Sequence, residues 1–312
     1  SARRCAEDAR FGMKLFAMST VLNTGLNYLL IFGKCGLPAL GIQGAAVATL
    51  LARITEFAVC SFCAVRSRLL PIQWRAFFRP GWEMLRRFVK YSSPVILNET
   101  AWGLGNSMLT VILGYTDNSV EMLAANAVMG NLNRLFLVVC FGLGAATAVI
   151  IGKSIGEGRS HQEVMDLSRT LLVFTALVGA GLTVLSLLLV PTLFVPVVFP
   201  LFKLYGESAA IATALAVTGF LSIPLHAYSI SAVTGVLRAG GDVFWSTLLD
   251  VGPQWCMALP LTALLALVLK ADYWWIAAAI QSESLLKVPL CALRIRTGQW
   301  IHDVTVRKER GQ

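Results

Sequence analysis

Charge is scarce in this sequence: Asp, Glu, Lys and Arg make up 14% of its 312 residues, against about a quarter in soluble domains. Only 17 acidic residues and 3 histidines are available for acid–base chemistry or metal ligation. No His-Glu-x-x-His, Gly-x-Ser-x-Gly or phosphate-cradling glycine loop occurs, so an intramembrane enzyme lacks its convergent nucleophile, base or metal set. The chain reads as a non-enzyme with no metal or bound cofactor. The seven cysteines (Cys5, Cys35, Cys60, Cys63, Cys140, Cys256 and Cys291) fall mostly inside apolar runs. Cys60 and Cys63 have no second Cys or His pair to complete a metal site, and all seven read as reduced packing residues. Alternation over about ten residues, the mark of a barrel strand, is missing too. The chain opens on Ser1-Ala-Arg-Arg-Cys5 without an initiator Met or a signal-peptide pattern, and a piece of something longer is expected.

What the sequence has in abundance is apolar side chain, 56% of residues, more than a soluble core can hide. Runs long enough to cross a hydrocarbon layer of about 30 Å fall at 11–33, 41–66, 91–114, 122–151, 167–190, 208–237, 243–269 and 273–293. Each must satisfy its backbone internally, which makes each a helix. The expected fold class is all-α: a polytopic membrane bundle of eight transmembrane helices.

A formal charge of +9 could suggest nucleic acid, but the cations do not form one basic, aromatic-laced face, so no nucleic-acid partner is expected. Of 26 Lys and Arg, 20 fall in residues 1–14, 66–90, 152–169, 238–242 and 294–312, and the alternate connections hold only Lys34, Lys203 and Lys270. By the positive-inside rule both ends are cytoplasmic, in a multi-pass protein of the cytoplasmic (inner) membrane whose partner is the lipid bilayer. The longest polar stretch, Arg66 to Lys90, mixes seven cations with Trp74, Trp82, Phe77 and Phe78. It is expected to lie on an anionic leaflet and to separate two lobes. The expected division is 1–66, the last two helices of an incomplete lobe; 67–90, a basic linker; 91–293, a six-helix lobe; and 294–312, a cytoplasmic tail.

A weak repeat supports that division. Arg4-Cys-Ala-Glu-Asp8 before the first span matches Arg238-Ala-Gly-Gly-Asp242 before the seventh, 234 residues on, and each precedes one span, a short turn and an Ala-rich span. A period that long holds about six spans, as in transporters built from two repeated lobes.

The motifs Asn23-Thr-Gly-Leu-Asn-Tyr-Leu-Leu-Ile-Phe-Gly33, Gly41-Ile-Gln-Gly-Ala-Ala-Val-Ala-Thr49, Gly142-Leu-Gly-Ala-Ala146 with Gly152-Lys-Ser-Ile-Gly156, and Gly235-Val-Leu-Arg-Ala-Gly-Gly-Asp242, in this order and spacing, resemble the multidrug and toxic compound extrusion (MATE) family. The resemblance covers nearly the whole chain. It implies a two-lobed, twelve-helix antiporter, monomeric when full length, that exports cationic amphipathic compounds in exchange for Na⁺ or H⁺. Residues 11–66 would be helices five and six, residues 91–293 helices seven to twelve, and the first four would be missing.

Ionisable groups inside spans are costly unless paired or hydrated, which makes each a functional candidate: Arg53, Glu56, Glu99, Arg134, His226, Asp250, Glu283 and Lys287. At 1.5 Å per residue, Glu99 and Arg134 lie about 20 Å from the outer end of their helices, and His226 and Asp250 about 28 Å, so a Glu99–Arg134 pair is expected. Glu99 follows Pro94 and Asn98, and it resembles the acid the family carries on its seventh helix, though that acid falls one turn further from the proline. It reads as the coupling-ion carrier or as a structural ion pair. Asp250 could ligate a cation or tie helices together. His226, beside Pro224 in a serine-rich stretch, could relay protons or be a satisfied core residue. Some family members carry a second acid on the helix of His226, and its absence favours H⁺ over Na⁺. Asn98, Trp102, Asn106, Asn131 and Arg134 would give a cavity polar and aromatic edges. Glu283 with Lys287 and Arg53 with Glu56 read as structural pairs, and Arg238 with Asp242 as residues that pin helix ends.

Two rivals remain. A lipid-linked precursor or polysaccharide flippase of the same superfamily would share the fold, but would want more intramembrane cations than Arg53, Arg134 and Lys287. A passive scaffold would not need Glu99, Asp250 and His226 within its spans.

Overall fold

The computed structural model describes residues 9–34, 36, 38–66 and 81–301. The first copy of the repeat, Cys5, Cys35, the linker up to residue 80 and the tail from residue 302 lie outside them. The described residues form helices joined by short turns: α1 Ala9–Phe32, α2 Gly41–Arg66 and α3 Trp82–Gly114, α4 Ser119–Gly156, α5 His161–Leu201, α6 Glu207–Leu221 and α7 Ile223–Leu237, α8 Val243–Val268 and α9 Tyr273–Arg296. No strand occurs among them. The chain is an all-α, multi-pass membrane protein.

Six of these helices are long and apolar enough to cross a membrane, or seven when α6 and α7 count as one span bent by 47°. α3 has the length, at 33 residues, but Asn98, Glu99, Asn106 and Thr110 interrupt its apolar run. With α3 included, the eight runs read from the sequence match the eight helical rods of the described residues.

The bends follow sequence chemistry. Proline supplies no backbone N–H and clashes with the preceding turn, and Pro224 sits in the first turn of α7, where its missing donor is harmless. Pro191 and Pro196 lie in a widened, π-type stretch of α5 at Val190–Val198, and Pro253 and Pro260 flank another in α8 at Gln254–Ala258. α5 opens on a capping box, Ser160 Oγ accepting from the Glu163 N–H while Glu163 reaches back to the Ser160 N–H.

The chain divides into two compact units, Ser1–Arg86 and Arg87–Gln312. In the first, α1 and α2 pack as an antiparallel pair. A Cβ on Gly44 would stand 2.6 Å from the Leu30 carbonyl oxygen, so only glycine permits that approach. Ser19 Oγ donates to Glu56 Oε2 at 2.9 Å, and Arg53 Nη1 meets the same oxygen at 2.6 Å.

In the second unit α7 is central, packed against α4, α5 and α9. Small residues set these contacts. A Cβ on Gly179 of α5 would lie 2.8 Å from Pro224 Cα, and one on Gly235 of α7 would lie 2.8 Å from Thr147 and 3.0 Å from the Gly144 carbonyl oxygen of α4. Gly142, from the same small-residue motif, faces open space. At the turn before α8, Trp300 is fully buried and lies where any side chain at Gly240 would go, with the nearest ring atom 2.3 Å from that position. Asp242 there pairs with Arg294 at 2.7 Å, and Arg294 lies over the Trp245 ring at 5.0 Å. Asp242 thus pins helix ends as the sequence suggests.

Candidate functional site

α3, α4, α6, α7, α8 and α9 enclose a cavity of about 770 Å³ within the second unit. All eight candidate residues line it: Glu99, Asp250 and His226 on the charged side, and Asn98, Trp102, Asn106, Asn131 and Arg134 around it. Each lies on a mostly apolar helix, and the packing of small residues turns their polar positions toward one space.

The charged side is a chain of alternating signs. Lys287 Nζ of α9 lies 3.2 Å from Asp250 Oδ1 of α8 and 3.6 Å from Glu283 Oε2 one turn back on α9. Asp250 Oδ2 accepts from Asn98 Nδ2 at 3.0 Å and meets Arg238 Nη2 at 3.7 Å. Arg238 Nη1 reaches Glu99 Oε1 at 3.5 Å. On the far side, His226 Nε2 stands 3.8 Å from Glu283 Oε1, and its Nδ1 lies 3.1 Å from both Ser284 Oγ and the Ser222 carbonyl oxygen. In a low-dielectric interior an uncompensated charge costs several kcal/mol, and this ladder leaves no carboxylate without a cation.

Two expectations need correcting. Glu99 pairs with Arg238 rather than Arg134, and Arg134 makes no ion pair among the described residues. Depth alone fixed the expected pair, while rotation about the helix axis decides which side chains meet. Nor does Arg238 only pin a helix end. It follows the last turn of α7, donates from Nε to Ser246 Oγ at 3.1 Å and turns its guanidinium into the cavity between Asp250 and Glu99. The pair Glu283 with Lys287 is formed as expected, but it also bridges α9 to α8 through Asp250.

Gln254, one turn after Asp250 and expected from the sequence to pack with it, lines the cavity. It is buried beside Gly105, where a Cβ would stand 2.5 Å from its amide nitrogen, so the α3 glycine lets α8 close on α3. Trp255 Nε1 donates to the Ala101 carbonyl oxygen at 3.1 Å and Thr247 Oγ1 to that of Pro94 at 3.2 Å, fixing the same seam. Asn98 Oδ1, Asn133 Oδ1, Gln254 Oε1, Ser229 Oγ and Thr262 Oγ1 are buried on the cavity wall without a hydrogen-bond partner among the described residues. Buried polar atoms are nearly always satisfied. No group of three or more His, Cys, Asp or Glu residues arranged to hold a metal ion occurs among the described residues.

No family model matches the chain. Among curated proteins it is 23% identical over 282 residues to the uncharacterized transporter YisQ of Bacillus subtilis, covering 90% of this chain and 60% of that protein. It is 28% identical over 265 residues to a probable multidrug resistance protein NorM of Bradyrhizobium diazoefficiens, covering 78% and 52%. Among solved structures it superposes with TM-score 0.78, at 18% identity over 94% of its length, on a crystal structure of MATE in complex with MaL6. The chain shares the fold of that MATE structure and spans only part of its length. A MOP superfamily transporter from Pyrococcus furiosus, described as having a binding pocket of reverse polarity, matches with TM-score 0.77 at 18% identity. The chain covers 64% of each of these MATE-fold structures.

Proposed function

We propose that the chain supplies one complete lobe of an antiporter that exports cationic amphipathic compounds across the cytoplasmic membrane in exchange for H⁺, with both ends of the chain on the cytoplasmic side. The observation that carries this reading is the 770 Å³ cavity, which joins carboxylates, amides and the half-exposed Trp102 ring inside a bundle of apolar helices. The names of the relatives, multidrug resistance proteins among them, point the same way. Aromatic and amide edges accept varied flat cations, and the carboxylates favour positive charge.

Glu99 is the proton carrier. Its side chain lines the cavity, is 64% exposed, and has one ion-pair contact among the described residues, Arg238 at 3.5 Å, so it stands outside the buried network. Asp250 and His226 tune the site from behind. A flippase would anchor phosphate on free cations, but of the Lys and Arg side chains lining the cavity Arg238 and Lys287 are engaged by acids, and Arg134 is the one with no ion pair among the described residues. The cation reading is therefore preferred.

Alternating access needs two lobes rocking about the cavity, so the assay uses the intact protein in vesicles with a cationic dye under an imposed ΔpH or Na⁺ gradient. Glu99→Gln should abolish exchange, because an amide cannot cycle a proton; Asp250→Asn and His226→Ala should each weaken it less. Undiminished efflux by the Gln variant would remove Glu99 from the mechanism. Efflux driven by Na⁺ at zero ΔpH would overturn the proton choice and leave the antiporter intact.

A further inference from the structure

We infer that Lys287 is a tethered cation that occupies the seat an alkali-metal ion would take between Asp250 and Glu283, and that it makes this unit independent of sodium. The inference deepens the antiporter reading and rests on it for its consequence, although the binding test below does not.

Lys287 is 5% exposed. Its ammonium sits between two carboxylates on different helices, 3.2 Å from Asp250 and 3.6 Å from Glu283. A cation between converging carboxylates is what a hard-ion site provides, and here the covalent stem supplies it. Asn98 lies beside the pair, 2% exposed, with its Oδ1 unpartnered, so a neutral oxygen is at hand to complete a coordination shell should the ammonium leave. The other charges around the seat are Arg238, 3.7 Å from Asp250, and His226, 3.8 Å from Glu283. With Lys287 in place a metal ion would meet an ammonium and a guanidinium at once, and like charges at such range repel strongly in a medium of low dielectric. An ammonium tethered to α9 cannot be released to either side of the membrane. Coupling is then left to protons on Glu99.

The test is thermal unfolding of the purified full chain in detergent, in choline chloride and in NaCl at equal ionic strength. Wild type should unfold at the same temperature in both salts. Lys287→Ala, which vacates the seat, should unfold about 2 °C higher in NaCl, as expected when a ligand binds the folded state at several times its dissociation constant. Lys287→Arg, which keeps a cation, should stay insensitive, and adding Asp250→Asn to Lys287→Ala should erase the sodium response. Lys287→Gln serves as a second vacated seat. A sodium shift in wild type would overturn the inference. So would a vacated seat that ignores sodium, or failure of both the Ala and Gln variants to fold in either salt. Loss of dye export with these sodium responses intact would count against the antiporter reading alone.

Discussion

Arg134 and Lys287 are both cations inside apolar helices, yet they stand in opposite situations. Lys287 is buried between two acids, whereas Arg134 is exposed on the cavity wall with no ion pair among the described residues. A group that neutralises nothing contributes little to stability. Arg134→Gln should therefore shift the unfolding temperature by no more than about 2 °C, since a surface change of within about 0.5 kcal/mol moves a chain this long only slightly. It should also tighten binding of a cationic dye to the cavity, because it removes a like charge from the wall. Tryptophan quenching by the dye reads that affinity; weaker binding by the variant would mean that Arg134 contacts the guest favourably. At this scale the sequence was informative about identity and about pairs within one helix, Glu283 with Lys287 and Arg53 with Glu56, and silent about pairing between helices. Of the ionisable candidates within spans, Glu99, Arg134, His226, Asp250, Glu283 and Lys287 line one cavity, whereas Arg53 and Glu56 pair with each other on α2; a charged residue in a membrane helix turns inward or takes a partner. Pairing depended on helix rotation, and on the reach of Arg238 from outside the span, which residue counting along an axis does not supply.

The helices follow from apolar run length because only a helix satisfies its backbone in lipid, although α3 begins at Trp82, within the stretch expected to be linker, and α5 runs on to Leu201 beyond the expected 190. Less legible were the places where helices bend. The break at Ser222 and the widened turns in α5 and α8 sit near prolines, yet Pro94 and Pro289 lie inside α3 and α9 without such a break. Neighbouring helices decide which prolines bend the chain. The glycines show the same dependence on context. Gly179 abuts Pro224 of α7 with no room for a side chain, while Gly142 faces open space. Gly179→Ala should cost about 1–3 kcal/mol through overpacking against backbone that cannot yield, and Gly142→Ala should be neutral or slightly stabilising through helix propensity. Urea or thermal unfolding in detergent distinguishes them, and equal effects would show that the α5–α7 contact relaxes freely.

Across the whole molecule, positive charge and outward-facing apolar surface are arranged for a bilayer rather than for a soluble partner. Large apolar side chains such as Leu135, Leu177, Leu185 and Val268 are half or more exposed, a pattern that water would penalise and acyl chains accept. Lys and Arg crowd the alternate connections, while of the four opposite ones three keep a single lysine and the one at 115–121 has none; its Asp117 pairs with Lys270 of another at 2.9 Å. Because cationic loops resist translocation, the connection holding Asp117 should face the exterior and the one holding Arg159 the cytoplasm. Single cysteines placed at these two positions in a cysteine-free background test this in intact cells with a membrane-impermeant maleimide. Asp117→Cys should label at once, and Arg159→Cys only after the membrane is opened. Both positions are exposed, and Arg159 contacts only Glu157 two residues away, so neither substitution disturbs packing. The reverse labelling pattern would invert the topology and, with it, the direction in which the proposed exchange runs.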